Sequence, residues 1–291
     1  MIPASFDYHA PSTLEEAVGL LQKWPDDAKV LSGGQSLLPL LKLRLGSVGH
    51  LVDIGRIPNL EYLREEGDRL LIGGRTREAE LERSELVRRK YSLLADTAAV
   101  IADPLVRNLA TVGGNLAHGD PANDHPATML AYRAEVVATG AGGATRVIPV
   151  DELFRGLFYT TLRPDEILTE IRIPVPPAGS GGAYVKLERK VGDFAAAASA
   201  VQVTLGSGGE VAKAGIGLTN AGSTPIRAAR AEEYLVGEKP TDDVIAEAAR
   251  LASESASPSP DRRGSVEYKR EMARVLTARA LKKAVQRAQG A

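Results

Sequence analysis

The chain has 291 residues, of which 44% are hydrophobic, and its 36 Lys and Arg residues against 37 Asp and Glu residues give a net charge of −1. This length favours two or three domains over one, and the balanced charge excludes a general electrostatic attraction to nucleic acid or to an anionic membrane. Cysteine is absent, which excludes disulfides, a catalytic thiol, thiolate-bound iron–sulfur clusters and flavin attached through cysteine.

We expect no secretory signal in the N-terminal segment, because residues 1–9 have neither a basic region nor an apolar stretch. No apolar run approaches the roughly 20 residues that a membrane-spanning helix needs. We therefore expect a soluble, cytoplasmic protein without a membrane span. The first predicted helix has apolar residues at helical spacing and begins with a capping box, formed by Ser12 with Glu15 or by Thr13 with Glu16.

A buried strand is predicted at residues 28–31, and it leads directly into the segment Ser-Gly-Gly-Gln-Ser at 32–36. Ser36 is predicted to cap a helix over 37–45. Paired glycines let backbone N–H groups approach a ligand closely, and the start of a helix favours an anion. This junction therefore predicts a phosphate-binding site, with an ordinary tight turn as the alternative. It matches neither a P-loop nor a Rossmann fingerprint.

A second glycine segment follows two strands and two helices, which are predicted at residues 51–55, 69–74, 76–91 and 92–101. Asp103-Pro104 is predicted to end the last of these helices. The segment at 111–126 reads Thr-Val-Gly-Gly-Asn-Leu-Ala-His-Gly-Asp-Pro-Ala-Asn-Asp-His-Pro. Its paired glycines also precede an amide side chain, as they do in the first segment. Two such turns predict a ligand with two phosphates, to which both turns offer backbone N–H groups.

The Pro-containing loop that ends the second segment is too polar to be predicted as core. His118, Asp120, Asp124 and His125 lie within eight residues there and allow a metal-site interpretation. Their spacing is not a standard zinc pattern, and no predicted helix aligns them. We therefore favour Asp124 as a hydrogen-bond acceptor for a ligand hydroxyl, and we predict no metal site and no catalytic residue in this chain.

The pattern of the chain changes near residue 177. Before this point a helix and three strands are predicted, at residues 127–134, 135–139, 145–149 and 167–175. The Pro- and Gly-rich residues 176–182 predict a linker. Beyond it, an antiparallel meander with a hairpin turn at 207–210 is predicted from strands at 184–190, 196–205 and 211–219. Three helices are predicted to follow, at 228–235, 242–255 and 268–289.

The last predicted helix lies in a strongly basic segment. Residues 262–291 carry nine Lys and Arg residues against two Glu residues, so the local charge is nine minus two, or +7. A basic tail that binds nucleic acid is one interpretation. The apolar stripe along the segment and the lack of interleaved aromatic residues for base stacking favour a docked helix with a solvated basic face.

Three of these stretches resemble the FAD-binding medium subunits of molybdenum hydroxylases, the family of aerobic carbon monoxide dehydrogenase and of the FAD module of xanthine dehydrogenase. They begin at Ser32 (SGGQSLLP), Ile101 (IADPLVRN) and Thr111 (TVGGNLAHGDPANDHP). Shorter matches begin at Phe6 (FDYHAP), Tyr184 (YVKLERKVGD) and Asp261 (DRRGSVEY), so the resemblance covers essentially the whole chain.

The resemblance implies an α+β fold in two domains. Residues 1–177 would form a PCMH-type (vanillyl-alcohol-oxidase-like) FAD-binding domain, with lobes at about 1–58 and 59–177. Residues 178–291 would form a C-terminal α+β domain of the carbon monoxide dehydrogenase flavoprotein type, with a three-stranded antiparallel sheet.

The resemblance also implies which residues bind the cofactor. The matching positions are Lys29, Val30, Leu31, Ser32, Gly33, Gly34, Gln35, Ser36, Ile101, Thr111, Val112, Gly113, Gly114, Asn115, Asp124, Leu168 and Lys186. The apolar side chains of Ile101 and Leu168 suit packing against adenine or the isoalloxazine ring. A cation at Lys186 near the N1/C2=O edge of the flavin would stabilise the anionic reduced form, and an ordinary surface lysine is the alternative.

The resemblance implies noncovalent FAD here, and a molybdenum cofactor and 2Fe-2S clusters on partner subunits only. The partners would be a small iron–sulfur subunit and a large molybdenum-cofactor subunit, assembled as a dimer of heterotrimers in the cytoplasm or at the inner face of the membrane. The chain would pass electrons from the clusters to an external acceptor. Two alternatives stay open: a self-sufficient flavin oxidase of the PCMH class, and a nucleotide-binding module without redox activity.

Overall fold

The computed structural model describes residues 2–290, and within this range the chain forms four β-sheets. The first is a parallel sheet with the strand order β1-β3-β2. Its strands are β1 (Asp7–His9), β2 (Ala28–Leu31) and β3 (His50–Asp53). Two helices connect them, α1 (Leu14–Lys23) and α2 (Leu37–Lys42), and a 3-10 turn (Ile54–Arg56) follows. Strand β1 was not predicted from the sequence.

Local signals determine the start of α1, and the second of the two predicted caps, Thr13 with Glu16, is the one that forms. The hydroxyl of Thr13 accepts a hydrogen bond from the Glu16 backbone N–H at 3.1 Å, and the Glu16 carboxylate accepts one from the Ser12 N–H at 2.9 Å. For α2 the prediction was partly wrong. The helix ends at Lys42 rather than at residue 45, and Ser36 occupies the N-cap position without a side-chain hydrogen bond to the helix.

The second sheet is antiparallel, with the strand order β4-β5-β10-β6-β7, and a small hairpin of β8 and β9 accompanies it. The strands of this region are β4 (Leu63–Glu66), β5 (Arg69–Gly73), β6 (Glu135–Thr139), β7 (Thr145–Pro149), β8 (Phe154–Gly156), β9 (Tyr159–Thr160) and β10 (Ile167–Pro174). The helices are α3 (Glu78–Arg83), α4 (Glu85–Lys90), α5 (Ser92–Val100), α6 (Pro104–Arg107), α7 (Val112–His118), α8 (Asp124–Tyr132) and α9 (Val150–Leu153).

The single helix predicted over residues 76–91 is in fact two helices. Ser84 separates α3 from α4 with an extended backbone (φ −66°, ψ 121°), and its hydroxyl caps α4 by accepting from the Val87 N–H at 3.3 Å. Asp103 has a similar role, because it caps the short helix α6 instead of only ending the preceding one.

The second glycine segment is not a turn but the start of a helix. Thr111 is the N-cap residue of α7, and its hydroxyl accepts from the Gly114 N–H at 3.2 Å. Helix α8 then begins at Asp124, three residues before its predicted start. The loop judged too polar for the core is therefore partly core: Asp124 is 6% exposed and His125 is fully buried.

The C-terminal region contains an antiparallel sheet of four strands, one more than predicted, in the order β11-β12-β13-β14. The strands are β11 (Ser180–Leu187), β12 (Ala197–Leu205), β13 (Val211–Thr219) and β14 (Ile226–Arg227), and the helices are α10 (Ala229–Leu235), α11 (Asp242–Glu254) and α12 (Val266–Ala288). Residues 180–182 of the predicted linker lie in β11. A Cβ at Gly181 would overlap the Ala284 carbonyl of α12, so this glycine permits close packing.

Helix α12 is docked, as predicted, and it contacts the C-terminal sheet and the preceding domain, but its basic face is only partly solvated, since Lys269 is buried. Many of its basic side chains pair within the chain: Lys283 and Arg287 with Asp96, Lys269 with Asp261, and Lys282 with Asp242. The core of the five-stranded sheet also continues beyond residue 177, because Tyr184 and Ala198 of the C-terminal sheet belong to it. Within residues 2–290, no helix is long and apolar enough to cross a membrane.

Candidate ligand-binding site

The two glycine segments meet in the structure. Residues 29–31 are the end of β2, and they deliver Ser32 to a position where its Oγ lies 3.0 Å from Thr111 Oγ1. The backbone just before the second segment is also close, since a Cβ on Gly33 would overlap the Leu109 carbonyl oxygen. Only glycine allows this approach. The predicted convergence of the two segments, 79 positions apart in the chain, is therefore what the fold produces.

The first segment offers free backbone donors. Among residues 2–290, the N–H groups of Gly33, Gly34 and Gln35 have no hydrogen-bond acceptor. Gly34 has a φ of +74°, a conformation that glycine adopts without strain. The Gln35 side chain donates to the Gly33 carbonyl at 3.2 Å and holds the turn. Three successive unpaired N–H groups beside a left-handed glycine suit a phosphate.

The second segment uses its backbone donors within the protein. The Val112 N–H donates to the Thr76 carbonyl, the Gly113 N–H to the Gly74 carbonyl at 3.1 Å, and the Gly114 N–H to Thr111 Oγ1. The expectation that both glycine turns supply free N–H groups was therefore wrong for this segment. Its glycines permit packing, because a Cβ on Gly113 would overlap the Gly74 carbonyl. Asn115 Oδ1, in contrast, is buried and has no hydrogen-bond partner in residues 2–290.

Gly74 links the second segment to Leu168. Its N–H donates to the Thr169 carbonyl at 2.7 Å, and a Cβ on Gly74 would overlap the Leu168 carbonyl. Leu168 is 6% exposed and Ile101, at the end of α5, is 5% exposed. Both apolar positions named in the sequence thus lie in or beside the main core, with Leu168 directly behind the second glycine segment.

Asp124 and Lys186 form a buried ion pair across the boundary between the two domains. Lys186 Nζ donates to Asp124 Oδ2 at 3.0 Å and to the Val100 carbonyl at 3.1 Å, next to Ile101. The Lys186 side chain is 3% exposed, so it is not a surface lysine. The other carboxylate oxygen of Asp124 accepts from the Tyr184 hydroxyl at 2.7 Å. Asp124, predicted to accept from a ligand hydroxyl, is bound by two protein donors in this structure.

The burial of these groups shifts their pKa values. Burial raises the pKa of the Asp124 carboxyl above its ordinary value, although Lys186, the Tyr184 hydroxyl and His125 act in the opposite direction. Burial and the neighbouring Asp124 carboxylate raise the pKa of Tyr184. The cluster is completed by Glu188, whose Oε2 lies 3.4 Å from Lys186 Nζ without forming a hydrogen bond.

Two residues of this cluster, Tyr184 and Glu188, were not predicted from the sequence. Tyr184, Lys186 and Glu188 alternate along β11, and the two-residue period of a strand places all three on one face. That alternation was the available signal.

A further buried pair gave no signal in the sequence. Glu78 at the start of α3 and His125 of α8 are both fully buried, with His125 Nε2 2.6 Å from Glu78 Oε2.

The residues of the metal-site interpretation have separate partners. The ring of His118 packs on Phe158 with centroids 4.9 Å apart, whereas His125 pairs with Glu78 and Asp124 with Lys186. In the part of the chain that the structure describes, no three potential ligands come together in a metal-binding group.

Two family models together match most of the chain. One, described as the FAD binding domain in molybdopterin dehydrogenase, matches residues 4–176. The other, described as the CO dehydrogenase flavoprotein C-terminal domain, matches residues 182–284.

Individual relatives match over nearly the full length. The carbon monoxide dehydrogenase medium chain of Afipia carboxidovorans is 44% identical over 288 residues, which cover 99% of both chains. Subunit alpha of the 6-hydroxypseudooxynicotine dehydrogenase complex of Paenarthrobacter nicotinovorans is 39% identical and covers 99% of this chain and 97% of that protein. Among solved structures, carbon monoxide dehydrogenase from Hydrogenophaga pseudoflava, lacking the Mo-pyranopterin moiety, matches with a TM-score of 0.95, 46% identity and 99% coverage of both chains.

Proposed function

Since this chain belongs to the family of FAD-binding subunits of molybdopterin dehydrogenases, we propose that it is the electron-transfer subunit between an iron–sulfur partner chain and an external acceptor. It is the flavoprotein subunit of a molybdenum hydroxylase similar to carbon monoxide dehydrogenase. Bound FAD supplies the redox chemistry, because it can accept electrons from one donor and release them to another molecule.

The residues present fit FAD. The observation that carries the proposal is the set of free N–H groups at Gly33, Gly34 and Gln35, beside the contact of Ser32 with Thr111. These donors suit the pyrophosphate, and the unpaired Asn115 Oδ1 offers an acceptor to the same ligand. The glycines are required at their positions, since a Cβ on Gly33 would overlap protein backbone.

We assign the predicted site residues to two roles on this basis. The segments around the two glycine pairs hold the phosphates and shape the pocket, with residues 29–31 as the strand that positions them. Ile101 and Leu168 supply apolar contact. Lys186 supplies the positive charge beside the flavin, and Asp124 fixes its position. We also propose the division at residue 177, with lobes of about 1–58 and 59–177, in keeping with the separate sheets.

The finer assembly is part of the proposal. A heteromeric complex follows from the family, and we propose a small iron–sulfur subunit and a large molybdenum-cofactor subunit in a dimer of heterotrimers in the cytoplasm. Support comes from the absence of cysteine, since this chain has no thiolates for an iron–sulfur cluster. The relatives are named for chemically unrelated substrates, so we place substrate choice on the large partner.

Isolation of the native complex tests this function. We expect stoichiometric FAD that acid precipitation releases from the protein, together with iron and molybdenum in chains that co-purify. If the isolated chain alone oxidised an organic substrate at the full rate of the complex, it would instead be a self-sufficient oxidase. If it retained a nucleotide but no flavin, it would be a binding module without redox activity.

A further inference from the structure

The pair formed by Glu78 and His125 has no part in the site described above. Both side chains are fully buried, and the 2.6 Å between His125 Nε2 and Glu78 Oε2 is as short as a charge-assisted hydrogen bond. Glu78 Oε1 and His125 Nδ1 have no partner in residues 2–290. Two apolar side chains would fill such a position at lower desolvation cost, so this pair calls for a role other than packing.

The pair is placed between both halves of the proposed site. The Glu78 N–H donates to the Ala110 carbonyl, directly before Thr111, and thereby supports the second glycine segment. His125 follows Asp124 in the first turn of α8. Asp124 in turn holds Lys186 at 3.0 Å, and Lys186 is 3.4 Å from Glu188.

These five ionisable side chains form one row. Glu78, His125, Asp124, Lys186 and Glu188 follow one another in it, and each is in contact with the next or adjacent to it in sequence. Interactions between buried charges are screened much less than those in water. A change of charge at Glu78 therefore acts on Lys186.

We infer that Glu78 and His125 are positioning residues that act through Asp124 and Lys186 to set the reduction potential of the bound flavin. The inference rests on the proposed function, because it requires a flavin beside Lys186. A flavin accepts electrons more readily in a more positive electrostatic environment. Removal of a negative member of the row therefore raises the midpoint potential, and removal of a positive member lowers it.

The test is a reductive titration of FAD in the isolated complex, followed by absorbance, with glutamine replacements that keep hydrogen-bonding ability. E78Q is expected to raise the midpoint potential, because it removes a buried carboxylate, and H125Q, which keeps a donor toward Glu78, is expected to change it less. A purely structural role would not separate the two variants in this way. A lowered potential in E78Q, equal shifts in both variants, or no shift in either would overturn the inference.

Two further variants keep the result decisive. E188Q changes the partly exposed end of the row, where folding is least at risk, and it should raise the potential as E78Q does. E232Q is the matched control: Glu232 is a buried carboxylate held by Arg227 and by Arg133, and Arg133 follows the far end of α8, roughly 13 Å from Asp124 along the helix axis. It should leave the potential unchanged.

The flavin content of the complex distinguishes a failure of this inference from a failure of the proposed function. An unmodified complex that holds no FAD contradicts both. An unmodified complex that holds FAD, while E188Q leaves the potential where it was, contradicts only the inference about the charged row.

Discussion

Lys186 of β11 and Asp124 of α8 join the two domains through a pair whose charged atoms are 3.0 Å apart and almost completely shielded from water. Each has a second protein partner, Val100 for the lysine and Tyr184 for the aspartate. A charge that is buried and then left alone is strongly unfavourable. The pair therefore couples the stability of the domain boundary to the position of the cation that we assign to the flavin.

Replacement of Lys186 by Met should destabilise the chain by about 3–5 kcal/mol, because Asp124 would remain buried without its partner. The unfolding midpoint in urea, followed by the fluorescence of the single Trp24, measures this. K190M is the control, since Lys190 is an exposed lysine of the segment that follows the same strand. Equal effects of the two variants would contradict the importance of the buried pair.

The cost of K186M should also depend on pH. Burial already raises the pKa of Asp124, so the folded chain binds more protons than the unfolded chain between the ordinary and the raised value, and stability falls as pH rises through that window. Loss of Lys186 removes an opposing charge and raises this pKa further. The difference in stability between K186M and the unmodified chain should therefore grow as pH rises above the ordinary Asp value of about 4.

Replacement of Asp96 by Asn should weaken the docking of α12 by about 1–3 kcal/mol, because Arg287 and Lys283 both donate to this carboxylate. Burial acts to raise the pKa of Asp96, but these two partners outweigh it and lower the pKa. The stabilisation is therefore present at neutral pH and is lost as pH falls through the lowered value. D68N, at an exposed aspartate, should have no comparable effect on stability, either at neutral pH or below the lowered pKa of Asp96.

Replacement of Gly33 by Ala should reduce the affinity for FAD by about tenfold to a hundredfold, which corresponds to roughly 1.4–2.8 kcal/mol. The new methyl group would overlap the Leu109 carbonyl and displace the free N–H groups. Flavin retained per chain after gel filtration measures the effect. G19A is the matched control, because a Cβ at Gly19 meets no atom within 4 Å; equal flavin loss in both variants would argue against the cradle.

Replacement of Gly217 by Ala should lower the thermal unfolding midpoint, whereas G19A should raise it. A Cβ on Gly217 of β13 would overlap the Ala127 carbonyl of α8, and overpacking of this kind costs about 1–3 kcal/mol. Gly19 lies inside α1 with open space around it. Alanine there should stabilise the helix by about 0.5–1 kcal/mol relative to glycine. Calorimetry of both variants checks the opposite signs.

The sequence predicted the features that depend on neighbouring residues. The cap of α1, strand β2 and the meander of β11 to β13 each follow from a local pattern, and the structure contains them. The break at Ser84 was missed because no glycine or proline marks it. Helix α7 was missed because two glycines disfavour a helix, and here packing against Gly74 overrides that preference.

The burial of Asp124 and His125 could not be read from their neighbours. Their partners Lys186 and Glu78 are 62 and 47 positions away. A polar loop is identified from local composition, whereas a buried ion pair depends on which distant strand the fold brings to it. The same reason explains why the second glycine segment was expected to offer free N–H groups. Two of these groups in fact donate to the carbonyls of Gly74 and Thr76.

The contact of Ser32 with Thr111 lies where the parallel sheet meets the rest of the chain, beside the free N–H groups. A ligand bound there adds its binding free energy to the folded state, by about 2.7 kcal/mol at a free concentration one hundred times the Kd. The lifetime of the chain in a cell would then follow the supply of flavin. Newly made copies in a flavin-starved cell would unfold more often and be degraded first.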